Sequence, residues 1–191
     1  SGRLAFREYY ALALELASSL RKPLLAAKIH LNSAAIIGHG LGNVEESWDH
    51  LRAVESSSEA MADLVVRAEF YLTRAWVELI IGPDYARAES DLIEGERIAR
   101  KIHDAKILGN IVYLRSIPAR HERRYAEGAR LLSDAGSVMQ SAGLTAFAFE
   151  AYVQASFHYL VADDLAGYRE TESILHAPWQ AEAQKSDRFR W

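Results

Sequence analysis

Cysteine is absent from the chain, which removes disulfides, thiolate metal sites and cysteine nucleophiles together. A cysteine-free composition accords with a cytoplasmic location. Proline is nearly as scarce: four prolines and eleven glycines leave long uninterrupted segments in 191 residues. Alternating β-branched runs bounded by turn dipeptides are missing, which argues against strands. No apolar run approaches the roughly 18 residues that cross a bilayer, and no secretory leader opens the chain. Positive charge is not in excess either. Lys and Arg total 22 against 26 Asp and Glu, a net charge of −4, so the broad basic surface of a nucleic-acid binder is lacking. Catalytic signatures are missing as well: no Gly-rich phosphate loop, no His-Glu-x-x-His, no Gly-x-Ser-x-Gly. The chain therefore reads as non-enzymatic, with no cofactor expected. Its start, Ser1-Gly2-Arg3, reads as a cloning remnant or a cut inside a longer protein.

What is present is helical periodicity. Half of the residues are apolar and a quarter charged, a globular composition. The apolar ones recur at three and four, as in Ala13, Leu16, Ala17 and Leu20. Nine helices are expected, near 4–21, 23–40, 43–56, 58–81, 83–102, 104–123, 124–141, 145–162 and 165–177. Gly40-Leu41-Gly42, Gly82-Pro83-Asp84, Gly143 and Asp163-Asp164 mark breaks. Pro23 and Pro83 fall where a first helical turn tolerates a missing N–H. Pro118 falls inside a predicted helix and is expected to kink it or end it near Arg115–Ile117. Short connections make neighbouring helices antiparallel.

A repeat runs through these helices. Val44, Tyr85, Tyr125 and Tyr168 each follow a break, at separations of 41, 40 and 43 residues. Three positions after each stands a small residue: Ser47, Ala88, Gly128 and Thr171. Seven after each stands leucine: Leu51, Leu92, Leu132 and Leu175. Thirteen before are Leu31, Leu72, Val112 and Ala155, and nine before are Ala35, Trp76, Ser116 and Tyr159. A small residue lets two antiparallel helices approach, and the leucine one turn on fills the gap. One hairpin cannot cover its own apolar face, so copies stack.

With these columns the chain resembles a tetratricopeptide-repeat array. Its longer spacing, and phrases such as Gly95-Glu96-Arg97-Ile98-Ala99-Arg100-Lys101-Ile102, resemble the sensor arms of bacterial regulators of the maltose-regulon-activator and LuxR-related type. The resemblance implies an all-α, right-handed solenoid over residues 1–178. Its copies fall near 24–56, 60–102, 104–142 and 145–178, after a lone helix at 4–21. Residues 179–191 form a tail or capping helix, with Trp179, Phe189 and Trp191 as anchors. It also implies a concave wall built from the first helix of each pair: Asn32, Ile36 and His39; Phe70, Thr73 and Val77; Asn110, Tyr113 and Arg120; and Ser156. Such a wall suits a protein or peptide partner or a small effector, as the sensing part of a larger transcriptional regulator. Neither direct nucleic-acid contact nor a membrane is expected. An unmated first helix predicts self-association through one end.

Two alternatives stand beside this reading. One is a ligand pocket or helical active site inside the stack, lined by Trp76, Tyr113 and Tyr159; the other is a structural oligomerisation spacer. Trp76 and Tyr159 occupy columns usually held by small residues and are expected to pack as wedges. Arg115, Arg120, Arg123, Arg124 and Arg130 are either an anion clamp or a solvated helix end, the latter favoured by the helix dipole. None of the seven histidines stands at i, i+4 from another, so no helix offers a ready metal pair.

Overall fold

The computed structural model describes residues 2–38, 42–81 and 84–185. All elements among them are helices, without a strand. In order they are α1 (Gly2–Ser19), α2 (Pro23–Ile36), α3 (Val44–Glu55), α4 (Ser58–Ala62), α5 (Leu64–Ile81), α6 (Tyr85–Ile102), α7 (Ala105–His121), α8 (Tyr125–Ser141), α9 (Thr145–Val161) and α10 (Leu165–Lys185). None is long and apolar enough to cross a membrane.

Three departures from the expected pattern have physical causes. The segment 58–81 breaks at Asp63, whose backbone is extended and whose carboxylate accepts a hydrogen bond from Val66 N at 2.9 Å. An aspartate inside an apolar run offers its own N-cap, and here the cap wins. Helix α7 runs through Pro118 to His121, so the early end does not occur. The buried side chains of Leu114, Ile117 and Ala119 offset the one hydrogen bond that proline removes. Finally, α10 continues to Lys185, past the end expected at 177. Phe189 and Trp191 lie outside the described residues, as does Pro83, whereas Pro23 opens α2 as anticipated.

The chain divides into two compact units, Ser1–Ile107 and Leu108–Trp191. In the first, α1 packs on α2, α2 on α3, and α5 against α2, α3 and α4 as well as α6. Its core gathers Ala27, Leu31, Leu51, Val54, Phe70 and Val77, flanked by Trp48, Tyr71 and Trp76. Each fully buried Leu, Val or Phe among them contributes about 1.5–3 kcal/mol. In the second unit α9 packs against both α8 and α10. Met139, Ala148 and Tyr152 form its centre, with Leu144, Ile174 and Leu175 around them.

The repeat columns are visible in burial. Ser47, Ala88, Gly128 and Thr171 are all buried. Leu51, Leu92 and Leu132 are at most 2% exposed, while Leu175 is half-buried against the Met139–Tyr152 cluster. In the second unit glycines admit large side chains. A Cβ added to Gly136 would lie 2.8 Å from the Tyr152 ring, one on Gly167 2.6 Å from Tyr159, and one on Gly109 2.5 Å from Met139. Tyr159 is thus the wedge anticipated at a small-residue column, with Gly167 yielding the space. Trp76 packs at the edge of the first core.

The connectors repeat too. His103, Arg123, Gly143 and Asp163 stand twenty residues apart, and all have positive φ. Each closes a helix with the same pair of bonds, such as Arg124 N to Ala119 O at 2.8 Å and Arg123 N to Arg120 O at 3.1 Å. These are Schellman turns, in which a left-handed residue satisfies the last orphan carbonyls. Arg21 makes a fifth. Asp84, Asp104 and Asp164 then cap the next helices through their carboxylates.

Candidate functional site

The residues expected on a concave wall do not share one fate. On α2, Asn32 and Ile36 are exposed, while His39 lies outside the described residues. On α5, Phe70 and Val77 are completely buried in the first core, so neither can line an accessible wall. The cause is the packing of α5, which is covered by α2, α3 and α4. Thr73 is half-buried. On α7, Asn110 and Tyr113 are half-buried and Arg120 is exposed. Burial raises the Tyr113 phenol above its ordinary pKa, with Glu150 pushing the same way and Arg120 opposing. Tyr113, Arg120 and Glu150 therefore share one neighbourhood.

Helix α9 is the most open of the first helices. Ser156 is half-buried, and around it Phe149, Val153, Phe157 and Leu160 stand exposed, Phe157 at 61%. Their spacing of four, four and three holds them on one stripe. Phe149 also borders an apolar hollow of about 40 Å³, lined with it by Gln140, Thr145, Ala148, Tyr152, Ile174 and Leu175. Ligand pockets run to about 300–1,000 Å³. This hollow has neither the room nor the polar groups of one, and Trp76, Tyr113 and Tyr159 do not line it.

A second constellation escaped the sequence reading. Arg74 and Glu78 stand one turn apart on α5, and Arg87 and Asp91 one turn apart on α6. The two helices run antiparallel, so a step up one is a step down the other, and two ion pairs form side by side. Arg74 holds Asp91 through both Nε and Nη2 at 2.6 Å and reaches Glu55 on α3 at 3.0 Å. Asp91 is 3% exposed, and the fork-to-carboxylate geometry satisfies it. Arg87 Nε lies 2.7 Å from Glu78 Oε1, yet neither oxygen of the buried Glu78 accepts a hydrogen bond. Burial, with Asp91 adding repulsion, pushes the Glu78 carboxyl up to about 7. Outside, the Arg87 guanidinium sits 5.3 Å over the Trp48 ring of α3. No spacing along either helix marks these four charges; only the hairpin register brings them together.

No family model, curated protein or solved structure matches this chain. The remaining chemistry is local. His30 on α2 and His50 on α3 meet Nδ1 to Nδ1 at 2.8 Å. Burial lowers both pKa values, so each ring is held toward neutral, and one imidazole donates its proton to the other. A pair that spans two helices leaves no mark in the spacing along either one. Among the described residues no three His, Asp or Glu side chains gather as a metal would need. In the arginine cluster, Arg124 Nε binds Glu122 at 2.9 Å, and its Nη1 pairs with Glu127. At that arginine the surroundings are those of a solvated helix end.

Proposed function

We propose that this chain is a non-enzymatic helical-repeat module: a tetratricopeptide-like, right-handed solenoid that docks a protein or peptide partner. In a larger bacterial transcriptional regulator it serves as the cytoplasmic regulatory or effector-sensing arm. The observation that carries this reading is the apolar stripe Phe149–Val153–Phe157–Leu160 on α9, left in water around Ser156, the wall position expected on this helix. Monomeric proteins seldom leave contiguous apolar surface uncovered without an interaction to cover it. Glu150, Tyr113 and Arg120 supply polar groups near the stripe, the mixture by which an amphipathic segment is seated and oriented.

The test is selection from a displayed peptide library, followed by fluorescence polarisation with individual peptides. Selected peptides should carry apolar anchors at i, i+3 or i+4 and i+7. The Val153→Asp/Phe157→Asp variant should weaken them more than tenfold and Tyr113→Ala/Arg120→Ala more modestly, each with an unchanged far-UV helical signal. Failure to select any peptide, or affinity indifferent to both double variants, would overturn the docking wall.

A further inference from the structure

The contact between His30 and His50 has a shape that admits one proton and refuses a second. Their Nδ1 atoms are 2.8 Å apart and their ring centroids 5.1 Å. That centroid distance is about the widest a 2.8 Å contact allows, so the two nitrogens meet head-on. A metal ion needs lone pairs that converge on a point beside them; lone pairs aimed at each other are bridged by a proton. The place of the contact is that of a latch. Ser47 Oγ donates to Ala34 O at 2.9 Å, and a turn further along both helices His50 meets His30. The first bond is buried and holds no titratable group, whereas the second is half-buried and holds two.

Ring chemistry fixes how many protons the contact survives. In the neutral pair one ring donates its Nδ1–H and keeps a bare Nε2, while the other accepts at Nδ1 and carries its proton on Nε2. A first added proton goes to the bare Nε2. The donor becomes imidazolium and its bond, now charge-assisted, strengthens. A second can go only to the accepting Nδ1; two N–H groups on two cations then face each other, and the contact is lost. Burial opposes charge on both rings, and on His30 the charge of His50 adds to that. Glu46 and Asp49 of α3 ease charge on His50, yet both carboxylates are bonded elsewhere. Glu46 holds Arg7 of α1 at 2.5 Å and Asn43 at 2.8 Å, and Asp49 pairs with Arg52. Among the described residues no charge on α4 or α5, and no other on α2, acts on either ring.

We propose that the His30–His50 pair is an acid-operated latch, which holds α3 on α2 through one added proton and releases it on the second. The two rings titrate as a unit, in two steps that belong to the pair. An unfolded chain takes up both protons near 6.5, whereas the latch resists the second. Its stability is therefore whole above about pH 6.5 and is lost as pH falls through the second step.

Nitrogen-15 NMR of the imidazoles from about pH 7.5 to 4 tests this, together with hydrogen exchange of α3 amides corrected for intrinsic rates. The rings should titrate together in two steps, the second well below 6.5. Exchange along α3 should quicken about five- to tenfold across that second step, the worth of one such bond. His30→Asn sets an amide where Nδ1 stood, able to donate to a neutral His50 or accept from a protonated one. This variant should titrate in one step and stay latched, with no quickening; His50→Asn is the reciprocal if the first does not fold. Glu78 gains its proton over an overlapping range, but on α5 and with the opposite sign, so it cannot mimic the release. Two independent steps at the ordinary value overturn the proposal, as does α3 exchange that ignores the second step. Equal quickening in the unaltered chain and the Asn variants overturns it too, since the loosening then belongs to another group.

Discussion

The hairpin of α5 and α6 and the layer of α8, α9 and α10 solve one packing problem with opposite materials. Both must bring long antiparallel helices close along their length. In the first unit, α5 and α6 are joined by charge: the Arg74–Asp91 fork and the Glu78–Arg87 pair, partly under cover. In the second, glycines at 136 and 167 let Tyr152 and Tyr159 pack close against neighbouring helices, and Tyr152 Oη donates to Gln140 at 3.1 Å. Charge fixes register through directional bonds at a desolvation cost; glycine fixes it by leaving room for one shape only. The two units should therefore fail differently.

The largest expected effect is in the first. Asp91→Ala strands the Arg74 guanidinium with only Glu55 and should cost about 4 kcal/mol in urea denaturation. Hydrogen exchange should show the loss in α5 and α6 while the amides of α8 and α9 hold. Next comes Glu78. An unfolded chain gives up this proton near 4.5, whereas the fold retains it to about 7. Stability from this group is thus whole below about pH 4.5, falls as pH rises towards 7, and stays reduced above, by up to about 3 kcal/mol. Thermal melts from pH 5 to 8 should show that slope, and Glu78→Gln should flatten it; a parallel slope in the variant would assign it to another group. The smallest effect belongs to the second unit. Gly136→Ala drives a methyl against Tyr152 and should cost about 2 kcal/mol with no pH dependence. A cost that followed pH would erase the contrast between the units.

Much of the architecture was legible because burial follows period. The small column at Ser47, Ala88, Gly128 and Thr171 and the leucines at 51, 92 and 132 went inside because spacing alone places them on the inner stripe. What was illegible depended on partners in other helices. The charge ladder and the His30–His50 contact arise only from the crossing of two helices, which no single-helix pattern encodes. Phe70 and Val77 were misassigned because the wall was placed by column, whereas α5 is covered on several sides and turns those columns into core. Asp63 shows a local competition: its cap broke a helix that periodicity alone would have continued.

The twenty-residue beat of left-handed turns at His103, Arg123, Gly143 and Asp163 limits how such a chain can change length. Adding or deleting one residue within a helix would swing everything beyond it by about 100°, exposing what had been inside. Variation in length is tolerable only as whole helices or as loops outside the beat, so a protein built this way grows by duplication and hardly at all by small insertions.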